Sequence, residues 1–230
     1  MVRAVVFAYS EVGYRALEAL LDGGVDVPLV FTVEDSPAET RWFRSVAELA
    51  RERGVDAVTA DPREERSIGR VRALAPQYLF SFYYRSLLDE PLLAAASWGA
   101  LNLHGSLLPK YRGRAPVNWA ILNGERETGV TLHYMVRKPD AGAIVAQERI
   151  PIGIDDTALT VSLTAAAAAA RLITRTLPLL GAGPPPAQPM NLAAGSYFGR
   201  RTPEDGRIDW AWPAARVHNL IRAVAPPFPG

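Results

Sequence analysis

The chain has 230 residues, 49% of them hydrophobic and 21% charged, which excludes disordered, collagen-like and small disulfide-scaffold classes and leaves a globular protein. Its 25 Lys and Arg against 24 Asp and Glu give a net charge of +1, too weak a field to favour a nucleic-acid partner. Cysteine is absent, which removes disulfides, thiolate metal sites and a Cys nucleophile together.

Residues 2–8 form a short β-branched and aromatic run, and Glu11 to Leu21 then places its apolar residues on one helical stripe. A second strand is expected over Val27 to Val33, followed by a helix from Ser45 to Arg53 that Gly54 ends. Next come a strand near Asp56 to Thr59, a helix over Arg63 to Leu74, a strand at Tyr78 to Phe82, a helix over Ser86 to Ala96 and a strand at Ala100 to His104. Strands alternating with helices predict a Rossmann-like, doubly wound α/β fold with a mostly parallel sheet.

After His104 the pattern changes. Gly105 to Ala115 reads as a long loop, and Pro116 suits the first turn of a helix through Leu122. Val130 to Val136 and Ile144 to Pro151 read as a later antiparallel pair. A long helix then runs from Asp156, a candidate cap, to Leu180. Gly181 to Pro186 marks the clearest boundary, giving a catalytic domain at 1–183 and a linker with the start of a second, truncated subdomain at 184–230. An amphipathic helix is expected over Ala214 to Val224. The amino terminus lacks a signal-peptide pattern and no run approaches a membrane span, so a cytoplasmic location without membrane insertion is expected.

The first strand-to-helix turn, Tyr9-Ser10-Glu11-Val12-Gly13, has one glycine where a dinucleotide fingerprint needs three, and no P-loop sequence occurs. The informative segment is Asn102-Leu103-His104. Strand alternation points Asn102 and His104 the same way, and in open α/β sheets ligands sit beyond the carboxyl ends of the strands. An amide and an imidazole then share one surface, and the imidazole could hold or release a proton near neutral pH, although a strand end whose polar groups only satisfy backbone is as good a reading. Asp140, in a Pro-Asp-Ala-Gly turn, could orient the imidazole and raise its pKa, or could be only a turn former. Lys110-Tyr111-Arg112-Gly113-Arg114 could grip a phosphate or carboxylate, or be a solvated loop. His133 and His218 read as structural, and no spacing makes a metal site.

The run from Asn102 to Pro116, with Asp140-Ala141-Gly142, resembles the formyltetrahydrofolate-dependent formyltransferases. The likeness extends from residues 5–9 through 80–85, 129–133 and 198–203 to 218–224, and is strongest to the formyltransferase domains of bifunctional polymyxin-resistance enzymes that act on UDP-4-amino-4-deoxy-L-arabinose. It implies 10-formyltetrahydrofolate as cosubstrate, no metal, and a UDP-linked amino sugar as acceptor. By this resemblance Asn102 donates to the oxyanion, His104 moves the proton, and Asp140 holds the imidazole. The folate is expected against Ser86, Leu87 and Leu88, against Arg114, and along Val136, Arg137, Lys138, Pro139 and Asp140. Position 86 is Ser where the nearest relatives carry His, and their carboxyl-terminal OB-like subdomain is largely missing here. A methionyl-tRNA formyltransferase, a purine-pathway formyltransferase and a non-catalytic folate- or nucleotide-binding module are the alternatives, and the oligomeric state stays open.

Overall fold

Alternation along each strand decides which layer a side chain enters, and in this chain it sends apolar residues to both sides of one sheet. The computed structural model describes residues 1–34 and 41–228. In chain order the elements are β1 (Arg3–Ala8), α1 (Ser10–Asp22), β2 (Asp26–Phe31), α2 (Val46–Glu52), β3 (Asp56–Val58), α3 (Glu65–Ala73), β4 (Tyr78–Phe82), α4 (Glu90–Leu93) and β5 (Gly99–His104). They continue with β6 (Arg112–Gly113), α5 (Pro116–Leu122), β7 (Glu127–Tyr134), β8 (Ile144–Pro151), α6 (Ala158–Ala182), β9 (Tyr197–Phe198) and α7 (Ala214–Ala223).

Among the described residues β3-β2-β1-β4-β5-β7-β8 form one seven-stranded sheet. The pairings from β3 to β5 are parallel, whereas β5–β7 and β7–β8 are antiparallel. This is a Rossmann-like α/β fold with a later antiparallel pair, as the sequence pattern predicts. Ala4, Val6 and Ala8 of β1 enter one core with α1, α5 and α6, while Val5 and Phe7 enter the other with α3 and α4. Phe7 stacks on Phe31 with ring centroids 4.8 Å apart; such a fully buried side chain contributes about 1.5–3 kcal/mol.

The alanine run makes α6 a close-packing helix. Ala165, Ala166, Ala168 and Ala169 are buried, and their small side chains let the helix lie close against α1. With 25 residues, α6 is long and apolar enough to cross a membrane, which corrects the sequence reading that no run approaches such a span; its alanine face is packed into the domain core. Its cap is also corrected. Thr157, not Asp156, caps the helix in a reciprocal pair with Thr160, while Asp156 accepts from the Gly153 N–H at 2.7 Å.

Two further expectations change. The helix expected over Ser86 to Ala96 is only Glu90–Leu93. Pro91 has no N–H to bond a carbonyl four residues back, so it fits the first turn of a helix that starts at Glu90 but not the interior of a longer one, and residues 85–89 stay open as a loop. The expected loop at 105–115 contains β6, which pairs in parallel with β9 some 85 positions on, a partnership with no local signal. Of the closing Pro-Pro-Phe-Pro-Gly stretch, Pro229 and Gly230 lie outside the described residues.

Candidate active site

Register builds the site. β5 ends at His104, and its antiparallel register with β7 sets Asn102 opposite His133 and His104 opposite Thr131. Residues directly opposite share a face, so four polar side chains gather at the carboxyl end of β5. Ala100, two residues earlier on the same face, is covered by the core cluster of α3 and α4; Asn102 and His104 lie past that cover.

Asp140 is delivered from the turn after β7. It holds a left-handed φ of 50°, and Gly142 follows so close to β7 that a Cβ there would stand 1.9 Å from the Tyr134 carbonyl oxygen. A non-glycine residue at positive φ is strained, and such strain gathers where geometry serves function. The Asp140 carboxylate accepts from the Gly113 N–H at 3.0 Å through Oδ2. Its Oδ1 lies 3.5 Å from Asn102 Nδ2, 3.6 Å from His104 Nδ1 and 3.6 Å from His133 Nε2. The three residues singled out in the sequence therefore meet around one carboxylate oxygen.

The hydrogen bonds fix the tautomers. His104 Nε2 lies 2.8 Å from the Tyr111 carbonyl oxygen, which can only accept, so Nε2 carries the hydrogen and Nδ1 has the free lone pair. His133 Nδ1 likewise donates to the Tyr134 carbonyl at 2.8 Å, leaving Nε2 to accept from Asn102 Nδ2 at 3.1 Å. That contact holds the amide with one N–H on His133, while the other makes only the long 3.5 Å bond to Asp140 Oδ1. Beneath, the buried Thr131 hydroxyl donates to the Ser106 carbonyl at 2.6 Å and accepts from the Leu108 N–H and Gln147 Nε2 at 3.2 and 2.9 Å, fastening the loop after β5.

Burial pushes the His104 imidazole below its usual value, opposed by the Asp140 charge and the Tyr111 carbonyl. Asp140 acts in the expected direction, raising the imidazole's pKa, but desolvation of an almost wholly buried ring outweighs it and the net shift is downward. Burial would raise Asp140, yet contacts from His133, His104 and the Gly113 N–H hold it down at about 2. At neutral pH the pair is a neutral imidazole beside a carboxylate, able to accept one proton and stabilise the resulting cation.

The expected folate residues fall on two loops at this end of the sheet. Ser86 is half-buried, Leu87 is 68% exposed and Leu88 is buried against α4. Val136, 47% exposed, and Arg137, Lys138 and Pro139 lie on the approach to Asp140, and Arg137 pairs with Glu90 across the gap at 3.8 Å. Exposed Leu87 and Val136 provide an apolar lip of the kind a flat heteroaromatic ring covers. Arg114 is exposed, and its backbone N–H bonds the Phe198 carbonyl at 3.0 Å. Among the described residues no group of His, Asp or Glu is arranged to hold a metal.

Two participants escape a linear reading. His133, which the sequence suggests is only structural, sits inside the cluster, and Thr131 supports it. The signal was the repeated polar-apolar-polar pattern, Thr131-Leu132-His133 against Asn102-Leu103-His104, which becomes informative once the two strands pair. His218 is exposed on α7.

Known proteins can now be set beside this geometry. Residues 2–177 match the family model described as formyl transferase, and residues 200–230 match the formyl transferase C-terminal domain. The structure resembles an N-formyltransferase from Helicobacter canadensis in complex with folinic acid and dTDP-3-aminofucose, with TM-score 0.76 and 22% identity over 97% of this chain and 80% of that one. A 4-N formyltransferase from Francisella tularensis gives TM-score 0.78 and 18% identity over 98% and 89% of the two chains. Glycinamide ribonucleotide transformylase 1 from Symbiobacterium toebii gives 0.69 and 23% over 83% and 95%. At these identities the structural likeness speaks for the fold, and the family rests on the match across residues 2–177: the chain belongs to the formyl transferase family.

Proposed function

We propose that this protein transfers the formyl group of 10-formyltetrahydrofolate to the amino group of a nucleotide-linked sugar, with UDP-4-amino-4-deoxy-L-arabinose as the preferred acceptor. The observation that carries the reading is the gathering of Asn102, His104 and Asp140 at the end of β5, all within residues 1–183. The N-formyltransferase in complex with dTDP-3-aminofucose and the 4-N formyltransferase match 97% and 98% of this chain, against 83% for the glycinamide ribonucleotide enzyme. One of them is in complex with a dTDP-linked amino sugar and folinic acid, which supports a sugar-nucleotide acceptor and a folate donor. The UDP-arabinose assignment rests on the motif resemblance along the chain.

The donor sits against Ser86 to Leu88, Arg114 and Val136 to Asp140, with its formyl group directed at Asn102. The acceptor's neutral amine attacks the formyl carbon and the carbonyl oxygen gains negative charge. The Asn102 N–H not taken by His133 exchanges its long bond to Asp140 for one to that oxygen, a contact whose loss typically costs about 10²–10³-fold in rate. The ammonium proton passes to His104 Nδ1, the nitrogen left free by the Tyr111 carbonyl. Asp140 stabilises the imidazolium. The folate N10 then takes that proton as its bond to the formyl carbon breaks, giving a formamide and tetrahydrofolate.

The test is tetrahydrofolate release from 10-formyltetrahydrofolate with UDP-4-amino-4-deoxy-L-arabinose, a dTDP-linked amino sugar, glycinamide ribonucleotide or charged initiator tRNA as acceptor. Turnover with the UDP sugar at least tenfold above the others is expected. Preferential formylation of the tRNA or the ribonucleotide, or no turnover with any acceptor, refutes the reading.

A further inference from the structure

Tyr83 directly follows β4 and takes no part in the formyl-transfer chemistry described above. It holds a left-handed φ of 58°, a conformation that an aromatic residue keeps only when its surroundings impose it. Its hydroxyl oxygen is buried and has no hydrogen-bond partner among the described residues. Burial pushes the phenol above its ordinary range, so it stays a neutral O–H. A buried polar group left unpaired destabilises the chain that carries it, and a bound ligand that pairs with it removes that cost.

The loop after β5 is shaped around this phenol. A Cβ on Gly105 would stand 1.8 Å from the Tyr83 hydroxyl oxygen and 3.4 Å from the Pro116 ring, so position 105 has room for glycine alone. Gly105 follows His104, which sets the hydroxyl beside the residue that moves the proton. The two tyrosines after β4 part to opposite faces of the sheet. Tyr84 packs with Leu88 on the α3–α4 side, and Tyr83 packs on the side of α1, α5 and α6. Leu88 belongs to the expected folate contacts, so the donor fills the first side and Tyr83 stands on the other. An amine attacks the formyl carbon from the side that the donor leaves open. The Tyr83 ring is partly exposed, so a ligand reaches it without opening the core.

We infer that the Tyr83 hydroxyl reads the acceptor's sugar, hydrogen-bonding the ring hydroxyl next to the reacting amine. A phenol brings one O–H and no countercharge, so it suits a neutral polar group better than an ion. On a 4-amino-pentopyranose the hydroxyl adjacent to the amine is the one at C3. This rests on the sugar-nucleotide reading and assigns a contact that selects among acceptors.

The test compares the parent with Tyr83→Phe in steady-state formylation of UDP-4-amino-4-deoxy-L-arabinose and of its 3-deoxy analogue, beside thermal melting and 5-formyltetrahydrofolate affinity. In the variant, KM for the hydroxylated sugar should rise about tenfold while kcat falls no more than about threefold. Its folate affinity should match the parent's, and its melting temperature should equal or exceed the parent's because the unpaired hydroxyl is gone. The parent should lose about tenfold on the 3-deoxy analogue, and the variant should not distinguish the two sugars. A parent-like KM in Tyr83→Phe, or a variant that discriminates against the 3-deoxy analogue as the parent does, overturns the inference. So does a lower melting temperature with folate affinity lost in step, which marks the hydroxyl as a structural bond. A parent that formylates no amino sugar refutes the proposed reaction and this contact with it, whereas parent turnover with no effect of Tyr83→Phe refutes the contact alone.

Discussion

The carboxyl ends of β1 and β5, both interior strands, meet the same fold requirement with opposite chemistry. Between β1 and β4, where the parallel strand order reverses, doubly wound folds commonly bind phosphates at a helix N-terminus. Here the first turn of α1 carries Glu11, 7% exposed, whose carboxylate is held by Arg44 at 2.5 Å. A buried negative side chain at this helix start repels a second anion, so the crevice is unsuited to a phosphate. At the other end, where β5 meets the antiparallel β7, four polar side chains converge and one rotation of an amide or transfer of one proton changes their bonding. The lesson is that the fold's usual ligand site and this protein's chemistry are separable: the switch of strand direction, not the switch of strand order, creates the polar face.

Substitutions at the β5–β7 end should act on turnover and those at the β1–β4 end on stability. The largest effect short of removing the imidazole is expected for Asn102→Ala, with kcat lowered about 10²–10³-fold in a tetrahydrofolate-release assay and folate binding retained. Asp140→Asn should lower kcat by about 10²-fold and also shift its pH dependence. Burial already places His104 below its ordinary value, so the parent's rate should hold through the ordinary imidazole range and fall only at more acidic pH. Removing the neighbouring negative charge destabilises the imidazolium further, so this acidic limb should move to lower pH in the variant; a kcat–pH profile shows it. Asp140, held at about 2 against an ordinary 3.8, contributes about 2 kcal/mol of stability, present above pH 4 and lost as pH falls toward 2.

Thr131→Val joins the two kinds of effect. It strands the Ser106 carbonyl and the Leu108 N–H, and should cost about 1–3 kcal/mol in a denaturant melt. The loosened loop after β5 should slow turnover about tenfold. The smallest effect on catalysis is expected from Glu11→Gln, which should leave kcat per folded molecule unchanged while lowering stability by about 1–2 kcal/mol. A loss of turnover from Glu11→Gln as large as that from Asn102→Ala would erase the distinction between the two ends.

Local chemistry made most of the fold legible. β1, β4, β5 and α6 follow from uninterrupted apolar runs, from strand-ending polar residues and from the alanine stretch, each a signal within a dozen residues. What escaped was what needs a distant partner. β6 and β9 are two residues each and exist only because they pair with one another. The shortening of α4 depends on Pro91, a local signal that the leucines around it obscure. In the site, Asn102 and His104 were visible as alternate residues of one strand and Asp140 as a turn residue of suitable chemistry. His133 was hidden because its meaning lies in the register of β7 against β5. The protonation balance of His104 was hidden too, since desolvation depends on everything packed around the ring.

The most direct measurement is the turnover of His104→Ala with 10-formyltetrahydrofolate and UDP-4-amino-4-deoxy-L-arabinose, beside its melting temperature and folate affinity. A loss of about 10³-fold or more is predicted, within the range for a proton-transfer group, with folding and folate binding intact. Turnover within tenfold of the parent would contradict the account, because no other side chain in the cluster has a free basic nitrogen to carry the proton.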